Sequence, residues 1–173
     1  MLPLLLLAAA PLAAPACPID KAVYRLAEAP GYTAGFDLQE RRKRLASDLV
    51  LWVRTPKRTY WFSFQAPNGY GGTYISPDID PAVSATMSDD AEAEASDTGQ
   101  EAEPVMIEFD AFDGNLKALK TAPQAGDKAP ALLFARGLGP ALWYNPAGLS
   151  GGDATAAQES MPIGLFRATG CSK

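Results

Sequence analysis

Histidine is absent from the whole chain. That absence excludes Ser-His-Asp and Cys-His catalysis, imidazole zinc sites and histidine acid/base work near neutral pH. Cysteine is nearly absent, with Cys17 and Cys171 alone. No Lys or Arg precedes Lys21, and no base at all occurs between Asp78 and Glu103. No sequence repeat recurs along the chain. What remains is a chain of 173 residues that is 47% hydrophobic and 20% charged, enough apolar side chains for the core of one ordinary domain.

Residues 1–16 read as a signal peptide, although the basic segment that normally opens one is missing. Met1 to Leu12 is almost entirely Leu, Ala and Pro, and Ala14-Pro15-Ala16 supplies an A-x-A cleavage site. The apolar run is too short to span a bilayer comfortably, so the expected location is periplasmic or secreted, with no transmembrane segment after its removal. An exported chain with two cysteines is expected to pair them, and a Cys17–Cys171 disulfide would tie the mature termini together. The alternative is a lipid anchor on Cys17, which the sequence around Ala14-Pro15-Ala16 fits less well.

The net charge of −5 hides an asymmetry. Nine acids fall between Asp78 and Glu103, leaving a mildly basic remainder. The run has no aromatic residue and is rich in Ala, Ser, Thr, Asp and Glu, so 78–103 is expected to be a disordered acidic insertion in a single β domain spanning 17–173. The basic run Arg41-Arg42-Lys43-Arg44 reads as a solvated turn that pairs with this strap or attracts an anionic surface.

Elsewhere the pattern is that of strands. Tyr32 to Gln39 alternates apolar and polar residues, Asp48 to Arg54 is apolar on both faces, and Thr59 to Gln65 alternates again. Pro67-Asn68-Gly69 is a turn signal, so the run from Tyr60 to Pro77 reads as a hairpin, and the strands before and after it as a meander. Val105 to Phe112 is a further strand before Asp113-Gly114-Asn115. Ala131 to Arg136, Ala141 to Tyr144 and Ile163 to Thr169 are read as the last strands, with a loop at Gly148 to Gly152. The expected fold is all-β: an antiparallel sandwich or small barrel of about seven to eight strands.

Within the hairpin, Tyr60, Phe62 and Phe64 share one face and are expected in the core. Trp61, Ser63 and Gln65 share the other, and Asn68 and Tyr70 sit at the tip. Together they form the expected contact surface for a cell-envelope component or a partner protein, since an aromatic ring beside polar groups suits a sugar or a protein surface. No cofactor and no metal is expected, nor nucleic acid. Asp110, Asp113 and Asn115 fit a common turn better than a calcium loop. Gly148-Leu149-Ser150-Gly151-Gly152 matches the nucleophile-elbow pattern without any histidine to serve it. Two enzyme or carrier alternatives remain: a carboxylate hydrolase using Glu108 and Asp110, which share a strand face, or an apolar-ligand carrier if a barrel is hollow.

The segment Phe-Ser-Phe-Gln-Ala-Pro-Asn-Gly-Tyr-Gly-Gly-Thr-Tyr, together with an export signal and terminal cysteines, resembles a functionally uncharacterised family of small exported β-proteins of the bacterial periplasm. The resemblance covers about Val50 to Pro77 and implies no activity. A likeness to periplasmic lysozyme inhibitors is one of architecture only, since none of their motifs occurs here.

Overall fold

A computed structural model describes residues 14–39, 46–65, 72–88, 105–151, 153 and 155–172. Eight strands run in sequence order around a closed barrel: β1 (Ala22–Leu26), β2 (Thr33–Leu38), β3 (Leu49–Arg54), β4 (Thr59–Gln65), β5 (Thr73–Asp78), β6 (Ile107–Phe112), β7 (Leu132–Arg136) and β8 (Phe166–Cys171). Every neighbouring pair is antiparallel, and β1 closes on β8. Of the two expected arrangements, the barrel is the one formed. Closure leaves no sheet edge open to another chain.

Alternation decides which side chains fill the barrel. Phe36, Leu51, Phe62 and Tyr60 point inward and are buried, together with Phe64, Ile75, Ile107, Phe109 and Leu133. Four rings cross the interior in contact: Tyr24 meets Phe36 edge-on at 5.9 Å, Phe36 stacks on Phe64 at 6.2 Å, and Phe64 meets Phe109 edge-on at 5.2 Å. The Tyr24 hydroxyl donates to the Pro130 carbonyl at 3.1 Å, which satisfies the one polar group this ladder carries inside. The gap left among Leu51, Val53, Phe109, Leu133 and Phe166 is too small to hold a water molecule.

Two departures from the sequence expectation follow from short-range chemistry. Ala141 to Tyr144 is helical, not a strand: it ends α2 (Leu138–Tyr144), which is followed by α3 (Pro146–Leu149). A four-residue apolar run has no period of its own, and here Leu138 and Leu142, four apart, are both fully buried. Gly137 enters the helix at φ 89°, and Pro140 falls among the first four residues, whose N–H groups have no helical partner in any case. Gly148 therefore belongs to α3, whose first turn is capped by the Asn145 side chain accepting from the Gly148 N–H at 3.0 Å.

The second departure concerns the insertion. Its first residue closes β5, and Pro81–Ser84 forms the helical turn α1, capped by the Asp80 carboxylate accepting from the Ala82 N–H at 2.8 Å. A capping Asp followed by Pro at the first helical position is a strong local start signal that the surrounding acidic composition masks. The rest of the insertion, 89–103, lies outside the described residues, as do most of the leader and the basic run Arg41 to Arg44.

Cys17 and Cys171 are disulfide-bonded, with Cα atoms 6.2 Å apart across 154 residues. Cys171 pairs with Ala22 at the β1/β8 seam, so the bond fastens the strands that close the barrel. In the chain-entropy picture a loop of this length stabilises by about 5 kcal/mol at most. Among the described residues no helix is long and apolar enough to cross a membrane.

Candidate functional site

Trp61 pairs directly with Trp52 across β3 and β4, and both point outward. The next residue in this row, on β2, is Gly35. An ideal Cβ at Gly35 would stand 2.7 Å from the Trp52 Cε2 and 3.1 Å from the Ala22 carbonyl, so glycine is what allows the indole to lie against the sheet. Arg54 places its guanidinium carbon 5.5 Å from the Trp52 ring centroid, a cation–π contact.

This row forms the floor of an outward-facing recess of about 390 Å³. Arg54 lines it as well, and the three acidic residues of its walls come from separate places in the chain. Asp20 lies in the 3-10 turn before β1, Asp37 near the end of β2, and Asp80 in the segment that leaves β5 and returns over the outer face. Asp20 pairs with Lys21 at 3.6 Å, and Asp80 is engaged as the cap of α1. The Asp37 side chain makes no hydrogen bond among the described residues, and its carboxyl is held above its ordinary value. Desolvation is the main cause and repulsion from Asp80 and Asp20 adds to it, while Lys21 pulls the other way.

The five residues expected to form one contact surface separate. Trp61 lies in the recess. Ser63 was expected on a wet face but is buried: its hydroxyl is 3.2 Å from that of Ser76, and Gln65 Nε2 donates to both hydroxyls, at 3.3 and 3.1 Å. The three side chains satisfy one another in a row across β4 and β5. Gln65 is four residues beyond Trp61, about 13 Å along the strand by the usual rise, and does not line the recess. Asn68 and Tyr70 lie outside the described residues.

The other candidate groups are engaged structurally. Arg136 pairs with Glu108 at 3.2 Å and approaches Asp110 at 4.0 Å, on the exposed outside of the barrel. Asp113 Oδ1 accepts from the N–H groups of Asn115 and Lys117 at 2.8 and 3.0 Å, and these bonds hold its carboxyl below the usual range. The Ser150 hydroxyl donates to the Pro146 carbonyl at 2.8 Å at the end of α3, not at the head of a strand-to-helix turn. Among the described residues no cluster of acidic, cysteine or histidine side chains is close enough to hold a metal ion.

Sequence reading missed a second polar centre, at the mouth beside the β1–β2 and β3–β4 turns. Glu159 is 3% exposed and accepts from the Tyr60 hydroxyl at 2.8 Å. Tyr32 donates to the Ser160 carbonyl at 2.9 Å, Lys57 to the Gln158 carbonyl at 2.7 Å, and Arg58 pairs with Asp153 at 3.3 Å. These bonds fasten the segment after α3 over the barrel end. Burial, then the bond and charge of Glu159, push the Tyr60 hydroxyl up, with Arg58 opposing, so it remains a donor through neutral pH. A single Glu between Gln158 and Ser160 carries no sequence signal for such a role. Comparison with protein-family models, curated proteins and solved structures finds no match.

Proposed function

We propose that this protein is an exported, non-enzymatic binding module that contacts a cell-envelope component or partner protein through its outer tryptophan face. One observation carries the reading: the barrel interior is filled, while Trp52 and Trp61 are paired on its outside at the floor of an open recess. Both rings are half-buried in the sheet and keep part of their surface open to the recess, and aromatic residues dominate the energetics of protein contact surfaces. The leader-like N-terminus and the Cys17–Cys171 bond support export to an oxidising compartment. With Cys17 in that bond, no thiol is left there for a lipid. The filled interior gives an apolar-ligand carrier no support, and the shared partner Arg136 gives none to catalysis by Glu108 and Asp110.

The test is capture from envelope extract by immobilised mature protein, with captured material compared between wild type and a Trp52→Ala/Trp61→Ala variant shown to fold by its circular dichroism. Material retained by wild type and lost from the variant is expected. Identical captured material from both proteins would overturn the proposed surface.

A further inference from the structure

The chemistry of the recess specifies a ligand class. We propose, resting on the binding reading above, that it takes an organic ammonium ion, seated on the Trp52–Trp61 floor and facing the carboxylates of Asp20, Asp37 and Asp80. Four observations converge on this. The recess is of a size that holds a small organic group, about 390 Å³. Its floor is a pair of tryptophans, the rings that attract cations most strongly; Arg54 already places a guanidinium over Trp52, which leaves Trp61 as the ring for a ligand cation. Its lining carries the three carboxylates and one guanidinium, that of Arg54, so the balance of charge still favours a cation over an anion.

The fourth observation concerns balance. The Asp37 carboxylate accepts no hydrogen bond among the described residues; Lys21 offsets part of the repulsion from Asp80 and Asp20, and a further positive charge between the acids would add to that attraction. A bare metal ion does not fit the same acids, because they are not close enough together to share one. An alkylammonium group is larger, spreads its contacts over ring faces and carboxylates alike, and tolerates that spacing. A neutral sugar would use the rings but would gain nothing from the excess of carboxylate over Arg54 in the lining.

Trp143 is the third tryptophan of the chain and lies in α2, outside the recess. In a Trp143→Phe background the indole fluorescence therefore reports Trp52 and Trp61. Titration with 1,5-diaminopentane or choline, at constant ionic strength set with sodium chloride, is expected to give a saturable change. The midpoint should weaken at least about tenfold in Asp37→Asn/Asp80→Asn and in Trp61→Ala, with Trp61→Phe closer to wild type as a control for folding. No saturable change, an equal response to sodium chloride, or saturation by a neutral disaccharide in place of the amines would overturn the ammonium assignment. If the amines fail while envelope capture still depends on Trp52 and Trp61, the ligand class falls and the binding surface stands; if capture also fails, both fall.

Discussion

The residue whose chemistry most separates the recess from ordinary barrel surface is Asp37. Its folded-state carboxyl titrates above the ordinary carboxylate range, so the native state holds its proton more tightly than the unfolded chain does. The favourable contribution is complete below the ordinary carboxylate pKa and is lost as pH rises through the elevated one; at neutral pH the ionised group works against folding. Asp37→Asn is therefore expected to raise the melting temperature at pH 7. The gain should shrink toward zero below about pH 3, where the carboxyl is protonated in both states. Because the side chain is only partly desolvated and solvent screens it, the gain should stay under about 1 kcal/mol. Melting curves at the two pH values check this, and a loss of stability at pH 7 would show that the carboxylate has a favourable partner. Gly35 illustrates a different kind of residue-scale constraint: its Cα faces an indole, and no backbone dihedral requirement is involved. The sequence pattern around Thr33-Ala34-Gly35-Phe36 marks a strand but cannot announce which ring will lie over it.

At the scale of elements, the segment after α3 is fastened to the barrel by one buried and several exposed bonds, and these should not contribute equally. Tyr60→Phe keeps the ring and removes the donor to Glu159, leaving a buried carboxylate without that bond. A loss of about 1–3 kcal/mol is expected in urea unfolding. Tyr32→Phe, which frees a carbonyl closer to solvent, should cost clearly less; equal losses would place the weight of the mouth elsewhere. The strands themselves were legible because alternation is a strong signal over six residues. Thr59 to Gln65 alone assigns Tyr60, Phe62 and Phe64 inward, and their burial agrees. Two kinds of element were not legible. Ala141 to Tyr144 is too short for its period to distinguish strand from helix, and the helix is set by Leu138 and Leu142 packing in three dimensions. The apolarity of Asp48 to Arg54 on both faces was readable, but not that Val50 would be buried on the outer side while Trp52 would floor a recess. The candidate site was legible to the same limited extent. Trp61 was singled out by its face, whereas Asp20, Asp37 and Asp80 come together only when the barrel closes and the chain leaving β5 folds back.

At the scale of the whole molecule, charge is segregated along the chain. The boundary that matters falls inside the acidic stretch. Asp80 and α1 belong to the folded body: Asp80 lines the recess and caps a helix, so its carboxylate serves position and not merely solubility. Removing 89–103 while keeping Asp78 to Ser88 takes away seven of the twenty acids and no base, and turns the net charge from −5 to +2. The eight strands, the disulfide and the Tyr60–Glu159 bond all lie outside the deleted segment. The melting temperature is therefore expected to be nearly unchanged. Retention on a sulfonated or heparin matrix should rise at low salt and disappear near 1 M, where the screening length is about 3 Å. Extending the deletion to 79–103 is expected to behave differently, because it also removes Asp80 and α1: it should abolish the response of the Trp52–Trp61 fluorescence to amines. If the shorter deletion unfolds the protein, residues 89–103 are part of the fold and not an appended strap. If the longer deletion leaves the amine response intact, the recess does not need its third carboxylate.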